Sequence, residues 1–416
     1  MQQDQASDPQ LKAGRKRLNN LRKRIISPLR TFMNDSRAVG IVLIGCTIVS
    51  LFLSNMDFSR QAYMDFWNTE THSGGWIHLP HNYLYWINDA LMAVFFFLVG
   101  MEIKRELLVG ELASLRKSML PVIAALGGMV VPALIYFSFN GNTPYHHGWG
   151  IPMATDIAFS LGILSLLGSK APIQLKVFLA ALAIIDDLGA ILVIAFFYTS
   201  GLSMTYLLLG LAFTGVAIVL NRLKVKQIVP YLILGVAIWY CILNSGVHAT
   251  ISGVLLAFCI PVDKIAGLEH KLTHFVNFII MPLFALANTA ILFPAEMDYV
   301  FTSPIAIGIF LGLVLGKPIG IVLFSFLATR LKIAALPDRT SWSQMVGVGA
   351  IAGIGFTMSI FISALAFDSI EVQDVAKISV LIASTVAGCI GYAYLSRQAK
   401  RDRLKTEMEA AVRNAE

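Results

Sequence analysis

The chain has 416 residues, 56% of them hydrophobic and only 14% charged, with a formal net charge of +7. Such a composition excludes a disordered chain, and hydrophobic runs from end to end leave no room for a separate soluble domain of ordinary size. The basic excess invites a nucleic-acid reading, which the placement of those residues at one side of the apolar runs excludes.

Residues 1–37 form a polar, basic segment in which Leu18, Leu21, Ile25 and Leu29 recur at helical spacing. It reads either as a cytoplasmic tail or as a surface helix on anionic lipid. Apolar runs long enough to cross a bilayer then follow one another. The expected spans are 38–56, 84–103, 119–138, 149–167, 175–198, 203–221, 229–243, 247–261, 275–293, 304–328, 345–367 and 376–395. The fold class is therefore an all-α polytopic membrane protein with twelve transmembrane helices over 38–395. A charged cytoplasmic tail, 396–416, completes the chain. With both termini cytoplasmic, all of the 32 Lys and Arg except Arg60, Lys317 and Lys377 fall on the cytoplasmic side, as the positive-inside rule asks. The longest external loop, 57–83, carries Trp67, Trp76 and several histidines. It reads as an interfacial aromatic belt, with a hairpin at Gly74-Gly75 as the alternative. Cys46, Cys241, Cys259 and Cys389 are scattered singly in apolar runs and read as small apolar residues.

The chemistry concentrates in the fifth span, VFLAALAIIDDLGAILVIAFFY, with Asp186 and Asp187 at its middle. Two carboxylates at bilayer depth cost several kcal/mol each, so function is the default explanation for them. In the fourth span Pro152, Thr155 and Asp156 fall close together. Proline removes a backbone donor and the Thr and Asp side chains can satisfy freed backbone groups, so an interrupted helix is expected. Counted from the turn near Gly168–Pro172 at about 1.5 Å per residue, Asp156 and Asp186 both lie roughly 18–20 Å deep, near the middle of a core about 30 Å thick. Lys317, in LGKPIGI, reaches a similar depth in the tenth span. In the eleventh span Gly347, Gly349, Gly353 and Gly355 taken alone read as a packing face, but Gly353 and Gly355 fall at the same level as the break in the fourth span, and that coincidence turns the reading toward a second interruption. Spans 3–5 and 10–12 run in opposite senses, so they are candidate inverted-topology repeats with the interrupted fourth and eleventh spans as counterparts that cross. Paired interruptions of this kind point to a midplane site in secondary transporters.

The strings ATDIAFSLGILSLLGS, LAIIDDLGAI, SGVHATISGV, GKPIGI and GIGFTMSIFI, in this order and spacing, resemble the NhaA family of bacterial sodium/proton antiporters. The resemblance covers about residues 35–395. The family itself exemplifies inverted repeats, so layout and resemblance are not independent. It implies an electrogenic exchanger of sodium or lithium for protons, a transporter and not an enzyme, working by alternating access in the bacterial inner membrane. It implies no cofactor, only transported ions, and a homodimer formed through the external hairpin.

Sodium is a hard cation that needs oxygen ligands. Asp187 is the first choice, with Asp156, Thr155 and exposed carbonyls of the interrupted helices as helpers. Asp186 either binds sodium directly or holds Lys317 in a buried ion pair, and the position match to the family carries exchange-site roles onto Asp186, Asp187 and Lys317. Because one carboxylate cannot hold a proton and coordinate sodium together, competition at Asp187 couples the two fluxes, the Asp pair titrating as a unit. Asp156 has a second reading, as a charge that screens facing helix N-termini, and Lys317 can do the same for C-termini.

At the end of the second span Glu102 and Glu106 lie four apart with Arg105 between them, a spacing at which like charges repel. The resemblance implies a cytoplasmic funnel and pH-sensing region built from this end and from Glu269 and His270 in the loop before the ninth span. There the chain departs from the family pattern, with Ala266 and Gly267 before Glu269, Thr273 in place of a second histidine and His274 one step along. Asp89 and His248 are candidates for an outer pathway. Two rivals remain: an intramembrane aspartyl protease, disfavoured by adjacent acids and the absence of a GxGD string, and a passive cation channel, disfavoured by Lys317.

Overall fold

The computed structural model describes residues 36–71, 78–168, 171–199, 201–294, 297–338 and 340–415; the basic segment 1–35 and the Gly74-Gly75 turn lie outside them. The described residues are helical throughout and contain no strand beyond an isolated antiparallel bridge between Glu70 and Asn82. In chain order the helices are α1 Ser36–Asn55, α2 Arg60–Asn68, α3 Tyr83–Leu108, α4 Leu115–Asn140, α5 Ile157–Leu166, α6 Ile173–Phe197, α7 Met204–Arg222, α8 Val229–Leu243, α9 Ile251–Cys259, α10 Val262–Asn288, α11 Met297–Thr302, α12 Pro304–Arg330, α13 Trp342–Ala352, α14 Phe356–Ala366 and α15 Ile370–Ala415.

Among the described residues nine helical stretches are long and apolar enough to cross a membrane, and α13 with α14 makes a tenth if that bent pair is one span. The protein is a multi-pass membrane protein. The seventh and eighth expected spans form only 15 and 9 helical residues, α8 and α9. At about 1.5 Å per residue α8 reaches roughly 22 Å, short of a core about 30 Å thick. The physical reason is the GVHAT segment before α9, where a turn ending at Thr250 replaces helix.

Three local expectations are corrected. The external loop 57–83 contains a helix, α2, whose Trp67 is buried and whose Tyr63 hydroxyl meets Ser50 Oγ and the Leu286 carbonyl at 3.0 Å, so this part is packed and is not a surface belt. Glu269 and His270 lie on helix α10 and not in a loop, because Pro261 ends the preceding segment and the helix starts at once at Val262. The last helix does not stop at 395. It runs unbroken for 46 residues, about 69 Å, so the charged C-terminal segment continues it.

Small residues let the helices approach closely. Gly127 of α4 and Gly320 of α12 face each other's backbone, and a Cβ on either would collide with the other's carbonyl. Gly253 of α9 meets the Ala93 carbonyl of α3 in the same way. Packing of this type is how helices associate where lipid removes the hydrophobic drive between them. It also brings α6, α4 and α12 together around the two interruptions.

Candidate functional site

Both expected interruptions are present and they cross. A 3-10 stretch, His146–Met153, ends in extended residues before α5 begins at Ile157. Helix α13 stops at Ala352 and α14 restarts at Phe356, bent by 47°. Pro152 in the first stretch and Gly353 and Gly355 in the second are the residues that weaken a continuous helix there. The chains are joined where they pass: Asp156 N donates to the Ile354 carbonyl at 2.7 Å, Ser160 Oγ to the Ile351 carbonyl at 3.2 Å, and Ser359 Oγ to the Ile151 carbonyl at 2.7 Å.

Asp156 sits between the starts of α5 and α14. Its Oδ1 accepts from Phe159 N at 3.1 Å, and its Oδ2 accepts from Thr357 N at 3.1 Å and from the Thr357 hydroxyl. Helix starts carry unpaired N–H groups and partial positive charge, so one carboxylate caps two facing N-termini. Ser384 of α15 adds a second acceptor at the start of α14, taking Gly355 N at 3.2 Å and Phe356 N at 3.1 Å. On the other side of the crossing the Thr155 hydroxyl proton is shared between the Ala352 carbonyl, at the end of α13, and Asp186 Oδ2, at 2.9 and 2.8 Å.

Asp186 and Asp187 are both buried at the middle of α6. Lys317 Nζ of α12, completely buried, is ion-paired with Asp186 Oδ2. Asp187 lies in the field of Asp186, Asp156, Glu102 and Lys317. Among the described residues, Asp186 Oδ1 and Asp187 Oδ1 are buried without a hydrogen-bond partner. The structure therefore brings together all five residues expected at the midplane, Thr155, Asp156, Asp186, Asp187 and Lys317. It gives Asp156 to the two helix starts and Lys317 to Asp186.

Toward the Leu108 end of the bundle Arg105 bridges two acids, Glu269 at 2.5 Å and Glu106 at 3.2 Å. Glu102, one turn deeper, lies in the field of all three. His270 is exposed and faces His274 edge-on, with ring centres 6.2 Å apart, outside this cluster. At the opposite end His248 Nε2 stands 3.4 Å from Asp89 Oδ1, so these two candidates form one pair.

Sequence reasoning missed Thr357, Ser384, Lys104 and the Asp374–Lys377 pair. Lys104 Nζ caps the end of α9, donating to the Phe258 carbonyl at 2.8 Å and the Ile260 carbonyl at 2.5 Å. Thr357 had a signal, a hydroxyl just past a Gly-rich break at a helix start. Lys377, buried and 4.0 Å from Asp374, was visible only as one of three basic residues, with Arg60 and Lys317, that depart from the expected charge asymmetry.

A family model described as Na+/H+ antiporter 1 matches residues 30–395, the stretch that contains the crossing and the carboxylate pair. The chain belongs to this family. Relatives agree along nearly their whole length. A Na(+)/H(+) antiporter NhaA 2 of Flavobacterium johnsoniae is 52% identical, covering 88% of this chain and 91% of that protein. A Na(+)/H(+) antiporter NhaA of Cytophaga hutchinsonii is 48% identical, over 89% and 95%. One from Escherichia coli O1:K1 is 47% identical, over 88% and 97%.

Proposed function

We propose that the chain exchanges sodium for protons, and that the buried, unpartnered oxygens of Asp186 and Asp187 are where the two ions compete. The observation that carries this reading is that, among the described residues, Asp187 Oδ1 is buried without a hydrogen-bond partner; the relatives named as Na+/H+ antiporters support it. A buried carboxylate oxygen left alone is costly, and a proton or a hard cation relieves that cost. One oxygen cannot serve both at once. Sodium loading therefore expels the proton, and proton loading expels sodium. Lithium, a smaller and harder cation that also takes oxygen ligands, is a second cargo.

Lys317 supplies the second charge. While Asp186 holds it, sodium must displace a cation from that carboxylate to use both acids, and separation of a buried pair is unfavourable unless another charge arrives. Discharge of two protonatable groups for each sodium makes the exchange electrogenic. The bridge from Thr155 to Asp186 ties the acid to the end of α13, so filling the site bears directly on the crossing.

The membrane layout belongs to the same reading: twelve crossings with α8 and α9 as the short seventh and eighth, both termini cytoplasmic, and the bacterial inner membrane as location. Spans 3–5 and 10–12 are inverted repeats, a relation supported by two interrupted helices whose second halves start face to face. The Arg105, Glu106, Glu269 cluster with Glu102 forms the pH-responsive cytoplasmic mouth. The Asp89–His248 pair lines the outer path, and the external loop 57–83 pairs with a second copy in a homodimer. A protease reading loses support because the two acids are neighbours on one helix and one is held by a lysine, and a passive pore is opposed by Lys317 at the acids' level.

The test is sodium-induced proton release from everted vesicles or proteoliposomes, scanned over pH, for the parent and Asp187→Asn. The variant is expected to lose the signal while retaining the parent's unfolding temperature. Equal exchange by both proteins would remove the carboxylate pair from the mechanism, and a rate indifferent to membrane potential would remove electrogenicity.

A further inference from the structure

A groove of about 520 Å³ opens on the lipid-facing side of the bundle between α1, α5 and α15, and its floor is the crossing itself. Ile354 and Phe356, on either side of the α13–α14 interruption, line it together with Phe159 of α5. The rings of Phe159 and Phe356 meet at 4.6 Å and 61°, clasping the two interrupted helices together beneath the groove. The volume lies within the range of about 300–1,000 Å³ typical of ligand pockets.

The lining fixes the chemistry of the occupant. Among the described residues no charged side chain lines the groove. Three of its four hydroxyls are engaged within the protein: Thr47 donates to the Leu43 carbonyl, Thr385 to the Leu381 carbonyl, and Ser384 accepts from Gly355 N and Phe356 N, while the fourth, of Tyr392, stands at the open rim. Inside its rim the groove therefore offers an ion or a water cluster no charge and little free polar surface, and hydrocarbon suits it. Its rim is open sideways, with Ile48 61% and Tyr392 41% exposed on helices that cross the bilayer. At such a rim, in this solvent, the surrounding hydrocarbon is supplied by lipid.

We propose that this groove is a binding site for one acyl chain of a bilayer phospholipid, seated against the crossing of α5 and α14. The chain fills space that side chains leave open at a point where helix is replaced by cross-chain hydrogen bonds. Gly388 keeps the wall thin there, since a Cβ would stand 2.9 Å from Ile163 Cδ1 and 3.4 Å from Ile354 Cδ1. The occupant is set by chain chemistry and is indifferent to headgroup. Bound hydrocarbon packs the apolar side of the same peptide segment whose polar side is held by Asp156 and Ser384.

The probe is a phosphatidylcholine with a mid-chain diazirine, doped into phosphatidylethanolamine liposomes containing the full-length protein. After photolysis, adducts are mapped by peptide mass spectrometry. Adducts are expected to concentrate severalfold on residues 44–51 and 381–392 relative to the equally apolar, lipid-facing α7, and to be displaced there by excess unlabelled phospholipid. Exchanging the headgroup for phosphatidylglycerol leaves the pattern unchanged. Thr385→Trp and, separately, Ile48→Trp fill the groove from two sides and are expected to abolish the concentrated adducts while α7 labelling persists. Neither residue touches the carboxylate pair, and labelling of α7 reports that the variant is folded and inserted. Adducts spread in proportion to exposure overturn the proposal. So does a protein–protein adduct through this face, which would mean that a second copy covers it.

Discussion

Substitution of Asp156 separates a structural carboxylate from a ligand. Asp156→Ala removes the acceptor for Phe159 N, Thr357 N and the Thr357 hydroxyl in one step. The hydroxyl can turn to another acceptor, whereas the two backbone donors are buried with Asp156. Each stranded donor costs about 1–3 kcal/mol, and two unscreened helix starts add about 0.3–2 kcal/mol. The sum is roughly 2–8 kcal/mol, a large share of the 5–15 kcal/mol that holds a typical domain together. Asp156→Asn keeps one acceptor oxygen for one helix but turns an NH2 donor toward the other, so about half that loss is expected. The assay pairs the unfolding temperature in detergent with the apparent KM for sodium in proteoliposomes. The expected result for Asp156→Asn is a clear fall in unfolding temperature with sodium KM little changed. Parental stability with a KM raised tenfold or more would refute the capping role and make Asp156 a sodium ligand.

Lys317→Met strands the Asp186 carboxylate, and breaking a buried pair costs about 3–5 kcal/mol; the double variant Asp186→Asn/Lys317→Met is expected to regain most of the lost unfolding temperature, and a double variant no more stable than the single would deny the pair. Ser384→Ala leaves Gly355 N and Phe356 N without their acceptor, a loss of about 1–3 kcal/mol each in a dry site. It is expected to lower both unfolding temperature and turnover while Ser384→Thr, which keeps the oxygen, retains them. Lys104→Met uncaps the end of α9 and is expected to cost about 1.5–3 kcal/mol, read as a lower unfolding temperature with sodium KM unchanged; a changed KM would place Lys104 in the ion path.

The midplane site was legible because bilayer depth is a strong constraint. Asp156, Asp186 and Lys317 count to the same level from the turns, and a charge at that level needs a partner, which for Asp186 is Lys317. The interruptions were legible from Pro152 and from Gly353 and Gly355, since these residues weaken helix wherever they fall. Ser384 was not. It is a hydroxyl on an apolar helix, and its partner is a backbone N–H 28 residues earlier in the chain, a relation that leaves no trace in composition or periodicity. Helix α2 was hidden by its aromatics, which signal a membrane interface as readily as packing. Two crossings were overcounted in helix length because hydropathy does not distinguish helix from the turn that precedes α9.

Three carboxylates meet in one small volume, and the donors around them assign them different work. Asp156 has both oxygens engaged by the starts of two helices, so its negative charge is already opposed by fixed backbone dipoles. Asp186 has one oxygen engaged by Lys317 and Thr155 and one without a partner among the described residues. Asp187 has an oxygen in the same condition and no ammonium of its own. On the proposed function a cation reaching this level gains least at Asp156 and most at Asp187, with Asp186 between them and dependent on whether Lys317 stays. The ordering follows from hydrogen bonds alone.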